Sequence, residues 1–418
     1  LAIGTQAMVA RRFGESDEAS VGAVAINSVA ASVAASGLFT VIGLLSLEPL
    51  FHYISSAAPG VVEAGVQFSE IRLFALLGIV WTASHRAFFD GLGKTWIFMV
   101  IAVLMNTINV VLDYAMVFGT WGIPRFGPNG AAWASFVSAF VGLALLVMWT
   151  NWGSFRRFKM WNLKRISPTL MWRICTFSLP NAVATAGMTA GFLLFDKVIA
   201  ELDKIRVEEA LVGVVGAENF AGMSEVVRET TMSLHHIPAD LYQSTSQLII
   251  VVMMLFFMVG FGFGLAAATL VSQSLGAGDP EGASRNGWMT IWVGGGIVAV
   301  FGMGLVFFPE SIAAVFNPGD PLVQETAAGP LRGVGFAAFF IAASLILTQA
   351  LYSAGMPIYV AVVTLAGICW LVPGGWWLAI SLGYGYAGIW AAAGGFILIL
   401  TVGMGGMFLT DRWKNISI

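Results

Sequence analysis

Val9-Ala10-Arg11-Arg12-Phe13-Gly14-Glu15, followed by Asp17-Glu18-Ala19, returns 262 residues later as Val271-Ser272-Gln273-Ser274-Leu275-Gly276-Ala277 and Asp279-Pro280-Glu281. At the same offset Asp90-Gly91-Leu92-Gly93 falls on Tyr352-Ser353-Ala354-Gly355, and with a small gap Gly127 and Gly130 fall on Gly385 and Gly388. Apolar helices resemble one another, but that generic likeness does not explain matching loop chemistry, so the chain reads as an internal repeat. Equivalent loops share a side, which makes the halves parallel copies about an axis along the membrane normal.

The residues between those loops show what is repeated. Hydrophobic residues make up 58% of the 418, charged residues 10%, and the mean hydropathy is +0.84. A soluble domain carries about 25% charged residues, so this chain belongs in a bilayer. Runs long enough to cross one lie at 21–46, 66–89, 96–118, 131–152, 172–200, 244–273, 288–308, 327–352, 358–381 and 388–409, with 1–12 as the tail of another. They lack the dyad alternation of barrel strands, and an all-α polytopic membrane protein is the expectation. Net charge is −3, which gives no field for nucleic acid. The two cysteines, Cys175 and Cys369, form no framework or metal cluster pattern.

Alternating the spans puts 13 Lys and Arg on one side and seven on the other, with the loop Arg156–Arg173 as the marker of the richer side. That side is expected to be cytoplasmic, in a cell (inner) membrane. The second half opens with two spans where the first shows only the end of one. Symmetry therefore predicts two six-helix lobes, the first lacking about one and a half helices here because upstream sequence is missing. The expected divisions are an N-terminal lobe (1–152), a cytoplasmic linker (153–171), a C-terminal lobe (172–410) and a cytoplasmic tail (411–418). An external insertion, 201–243, holds eight acids against three bases.

The chain resembles the multidrug and toxic compound extrusion (MATE) transporters in Gly4-Thr5-Gln6-Ala7-Met8-Val9-Ala10 with Phe13-Gly14-Glu15, and in Arg86-Ala87-Phe88-Phe89-Asp90-Gly91-Leu92-Gly93-Lys94-Thr95. It does so again in Asn106, Asn109, Leu112-Asp113-Tyr114, Gly130-Ala131-Ala132, the run Gly262–Val271 and Gly276-Ala277-Gly278. The resemblance implies a two-lobed antiporter exporting organic, often cationic, compounds in exchange for H⁺ or Na⁺, with no other cofactor. It also implies a small-molecule substrate, a lipid surround and a monomer.

Ionisable groups within lipid are functional candidates. Asn106, Asn109 and Asp113 are spaced i, i+3, i+7 on one helical stripe expected to point into the bundle. A carboxylate with two amides offers oxygen ligands and a site for a proton; the competing account is a polar stripe that only pins neighbouring helices. The Asn109–Asp113 spacing matches the Asn-x-x-x-Asp pair that the resemblance places in the DNA-damage-inducible branch. Ser135 is a further possible ligand. Asp196 beside Lys197 reads as an interfacial pair, and Gln349 lies near the inner end of its span; both are weaker candidates. No intramembrane acid stands where the other family branch has one, so the second lobe is expected to lack a cation site.

Enzyme signatures fail. Gly93-Lys94-Thr95 lacks the upstream glycine of a phosphate loop, Phe88 standing there, and Gly262-x-Gly264 lies inside a span with no strand before it. The sequence thus predicts a cation-coupled exporter. The alternatives are a lipid-linked oligosaccharide flippase of the same superfamily and a non-transporting receptor or scaffold that binds through the insertion.

Overall fold

The computed structural model describes residues 1–54 and 59–416; Ser417 and Ile418 of the expected tail lie outside them. In chain order the helices are α1 (Ala2–Gly14), α2 (Glu18–Ile54), α3 (Pro59–Gly91), α4 (Thr95–Phe118), α5 (Pro128–Thr150), α6 (Pro168–Val215) and α7 (Ala217–Ala221). They continue with α8 (Glu225–Leu234), α9 (Leu241–Gly276), α10 (Pro280–Phe307), α11 (Pro309–Phe316), α12 (Pro321–Ser353), α13 (Pro357–Trp376) and α14 (Gly385–Leu409). No strand occurs among the described residues, and ten of these helices are long and apolar enough to cross a membrane. The all-helical membrane fold expected from the sequence is what forms.

The helix boundaries repeat with the loops. Glu18 and Pro280 open α2 and α10, Pro59 and Pro321 open α3 and α12, and Thr95 and Pro357 open α4 and α13, each pair 262 apart. Proline at a first helical position is pre-set for the turn and wastes no donor. Where the register slips by four residues, tertiary contacts fix it. A Cβ on Gly130 would come within 2.7 Å of the Met116 carbonyl, and one on Gly388 within 2.8 Å of the Leu378 carbonyl carbon and the Ala379 nitrogen. Met116 and Leu378 are themselves repeat partners, so both lobes cross their last two helices at the same glycine.

Two apolar cores result. One joins Met8, Val21, Phe88, Phe89, Ile97, Leu146 and Phe158, and the other gathers α9, α10, α12 and α14 with the outer part of α6. Ile174 and Phe177, at the start of α6, pack on the first core. The linker is tied to α2: the Asn27 amide donates to the Arg165 carbonyl at 2.8 Å, its carbonyl oxygen accepts from the Ser167 N–H at 2.7 Å, and the Arg165 guanidinium donates to the Ala19 carbonyl at 2.9 Å.

The lobes meet in the half nearest the Arg11-Arg12 loop, where α1 lies against α9. A Cβ on Gly14 would collide with the Gln273 carbonyl, and one on Gly276 with the Arg11 carbonyl. Since Gly14 pairs with Gly276 and Arg11 with Gln273 in the repeat, each lobe offers the same glycine to the same backbone position of the other, which is how a two-fold axis meets itself. Side chains fasten the crossing. The Gln6 amide donates to Thr269 Oγ1 at 3.0 Å, Thr269 donates to the Asp90 carbonyl at 2.8 Å, and Gln273 donates to the Gly91 carbonyl at 2.8 Å.

The acidic insertion begins inside a helix. α6 runs unbroken for 48 residues, about 72 Å at 1.5 Å per residue, so its last turns stand clear of a bilayer about 30 Å thick. Asp203 anchors this extension: buried, it accepts from the N–H groups of Tyr242 (3.0 Å) and Gln243 (2.9 Å) at the start of α9 and pairs with Arg206 at 3.1 Å. The carboxylate meets the positive end of the helix and satisfies two of its free donors. Asp203→Ala should therefore cost about 1–2 kcal/mol, read as a lower thermal midpoint in detergent, while Glu208→Ala on the exposed face should leave that midpoint in place.

Candidate ion-coupling site

α4 carries the predicted stripe. Lys94 ends the preceding turn, and the helix closes at Gly119, whose φ of +73° needs no Cβ and lets its N–H reach the Ala115 carbonyl. Within it Asn109 and Asp113 are half-buried, and Asn109 Nδ2 and Asp113 Oδ1 are both enclosed with no hydrogen-bond partner. An enclosed amide donor and carboxylate oxygen left unpaired cost free energy of order 1–3 kcal/mol each; a proton or cation would satisfy the carboxylate oxygen, whereas the amide N–H needs an acceptor. Asn106 is exposed instead. The charge of Arg72, on α3, acts on Asp113.

The repeat explains the orientation. The partners of Asn106, Asn109 and Asp113 on α13 are Ile368, Leu371 and Gly375. Ile368 packs against Gly191 of α6, and Phe195 of α6 lies 3.5 Å from where a Gly375 Cβ would sit. The stripe on α4 therefore occupies the face that, in the second lobe, looks toward α6. In the first lobe α4 packs mainly on α5, and no described helix stands where α6 stands in the second, which is why Asn106 and Val103 (61% exposed) lie open.

In the second lobe that face borders a partly open cavity of about 380 Å³ lined by α6, α9, α12, α13 and α14. Its wall includes Leu371, Ala393 and Val334, whose repeat partners are Asn109, Ser135 and Arg72. The same wall positions are apolar in one lobe and polar in the other. Arg72 is one of the seven Lys and Arg of the poorer side; the 262-residue offset, which pairs it with Val334 of this wall, was the signal that could have singled it out.

The other candidates fall elsewhere. Ser135 is half-buried on α5, and its carbonyl accepts from Ser138 Oγ at 3.1 Å. Lys197 is exposed, while Asp196 Oδ1 is enclosed without a partner, and no ion pair joins the two among the described residues. Gln349 is buried, its Cγ 2.8 Å from where a Gly264 Cβ would sit, a packing contact between α12 and α9.

With this geometry in place, the MatE family model matches residues 1–115 and 242–377. The chain belongs to the MatE family. The matched stretches take in Asn106, Asn109, Asp113 and Gln349 and leave out Ser135, Asp196 and most of the acidic insertion. This MatE protein is 26% identical over 377 residues to a probable multidrug resistance protein NorM of Thermotoga maritima, covering 88% of this chain and 70% of that one. It is 25% identical over 361 residues to the multidrug resistance protein NorM of Burkholderia vietnamiensis, covering 84% and 69%. Among solved structures, the outward-facing conformation of a multidrug resistance MATE family transporter of the MOP superfamily superposes with a TM-score of 0.80 at 17% identity, covering 100% of this chain and 84% of that one. The eukaryotic MATE transporter AtDTX14 gives 0.75 at 18%, covering 99% and 83%. These likenesses confirm the fold.

Proposed function

We propose that this MatE protein exports organic compounds across a cell membrane in exchange for H⁺ or Na⁺, by alternating access of its two lobes. The observation that carries the coupling is the enclosed, unpartnered pair Asn109 Nδ2 and Asp113 Oδ1 on α4. A carboxylate there holds a proton or a cation when loaded and carries a charge that faces only Arg72 when empty, so the two states differ in the free energy of burial. That difference is what an ion gradient can act upon. Asn109 supplies the amide donor and carbonyl oxygen beside it, and Arg72 weakens any simultaneous hold on a second cation. The Asn109–Asp113 spacing also favours the DNA-damage-inducible branch.

The lobe contacts support the alternation. The lobes touch through neutral hydrogen bonds and two glycine crossings on the arginine-rich side, which we take as cytoplasmic. Neutral bonds contribute about 1 kcal/mol each, so such a seam can close and reopen within the span of one ion-binding event. The NorM names of the relatives point to drugs as cargo. Reconstituted in liposomes, the protein should move a fluorescent organic cargo only when a Na⁺ or pH gradient is imposed and should stop when that gradient is collapsed. Gradient-independent movement, or none in either direction, would count against antiport.

A further inference from the structure

The second-lobe cavity differs in chemistry from its first-lobe counterpart, and this bears on what the exporter carries. Phe192, Phe195, Phe257, Phe396 and Trp390 supply ring faces and Met253 an adaptable thioether. No residue of the lining bears a charge, a hydroxyl or a side-chain amide. Its volume of about 380 Å³ suits a small organic molecule, within the ~300–1,000 Å³ range of such pockets.

We propose that this cavity binds an uncharged, lipophilic ring compound, and that such compounds are the cargo class of the exporter; the second clause rests on the transport reading above. The one side-chain donor in the wall is the Trp390 indole N–H, which has no partner, so a cationic group brought in loses water without gaining a side-chain acceptor, which costs several kcal/mol. Attraction between a cation and a ring face returns about 2 kcal/mol or more when desolvated, so competition by a cation is the outcome that decides against an uncharged ligand. Asp196, one residue beyond Phe195 on α6, is not part of the lining, so it makes no direct contact with a molecule held there. The two lobes thereby divide the work, with polar groups for the ion in one and carbon for the cargo in the other.

Binding is measurable without any gradient, in nanodiscs, using the uncharged probe N-phenyl-1-naphthylamine with tetraphenylphosphonium as the cationic competitor. Gly333 and Gly394 line the cavity, and a Cβ at either meets nothing within 4 Å, so Gly333→Leu and Gly394→Leu fill space without distorting helices. Each should weaken the neutral probe at least ~10-fold, about 1.4 kcal/mol, while Asp196→Asn leaves it unchanged and the cation fails to compete. Probe binding indifferent to both leucines overturns the proposal. So does competitive binding of the cation, or a tightly held phospholipid that only the leucine variants release. Probe binding as expected with no gradient-driven movement would count against the transport reading and leave the pocket standing.

Discussion

Asp113→Asn is expected to reduce ion-driven efflux by about 100-fold, the upper range of measured coupling between sites, while the protein still inserts and binds its cargo. The amide keeps the shape of the carboxylate but neither takes up a proton nor offsets a cation's charge, so the two loading states become one. Asp113 Oδ1 makes no hydrogen bond that the amide would break, so folding should survive the change. The measurement is gradient-driven uptake in liposomes beside equilibrium binding of the probe. Full efflux by Asp113→Asn would remove the carboxylate from the coupling scheme; joint loss of efflux, binding and yield would show a structural role instead. Asn109→Ala should give a partial version of the same defect, because it removes a neighbouring donor and ligand but not the exchangeable charge.

The second large effect is expected where the lobes cross. Valine at Gly14 or Gly276 drives a branched side chain into a backbone carbonyl of the other lobe. A carbonyl in a helix cannot swing aside as a side chain does, so overpacking of about 1–3 kcal/mol should appear as separation of α1 from α9. Each variant should lower the thermal midpoint and lengthen spin-label distances between the lobes on the arginine-rich side. Gly296→Val, where an added Cβ meets nothing within 4 Å, is the control and should move neither. The double variant should cost less than the sum of the singles, since one separation relieves both collisions. Strict additivity would mean that the two glycines do not share one seam.

Much of this architecture was legible before any coordinates. Span length and loop charge depend on composition over 20 residues, and loop glycines recur because turns with positive φ, such as Gly93 and Gly355, admit little else. What escaped was whatever depends on one helix meeting another. Asn106, Asn109 and Asp113 share a stripe in any straight helix, yet only packing decides that the last two are enclosed and the first is open. Asp196 and Lys197 part company for the same reason, one enclosed and one exposed, because adjacent residues on a helix point about 100° apart. Asp203 looked like one acid among eight in a solvated segment; its capping of α9 needed the return of the chain some forty residues later.

The glycine crossing constrains how the two halves of this molecule can diverge. Elsewhere a residue can drift without regard to its counterpart, as Asp113 and Gly375 have done. At Gly14 and Gly276 each copy presses on the other's main chain, so bulk added in either half is felt by both. A duplicated gene that folds back on itself in this way keeps a shared memory at its axis, and specialisation of the halves has to grow outward from there.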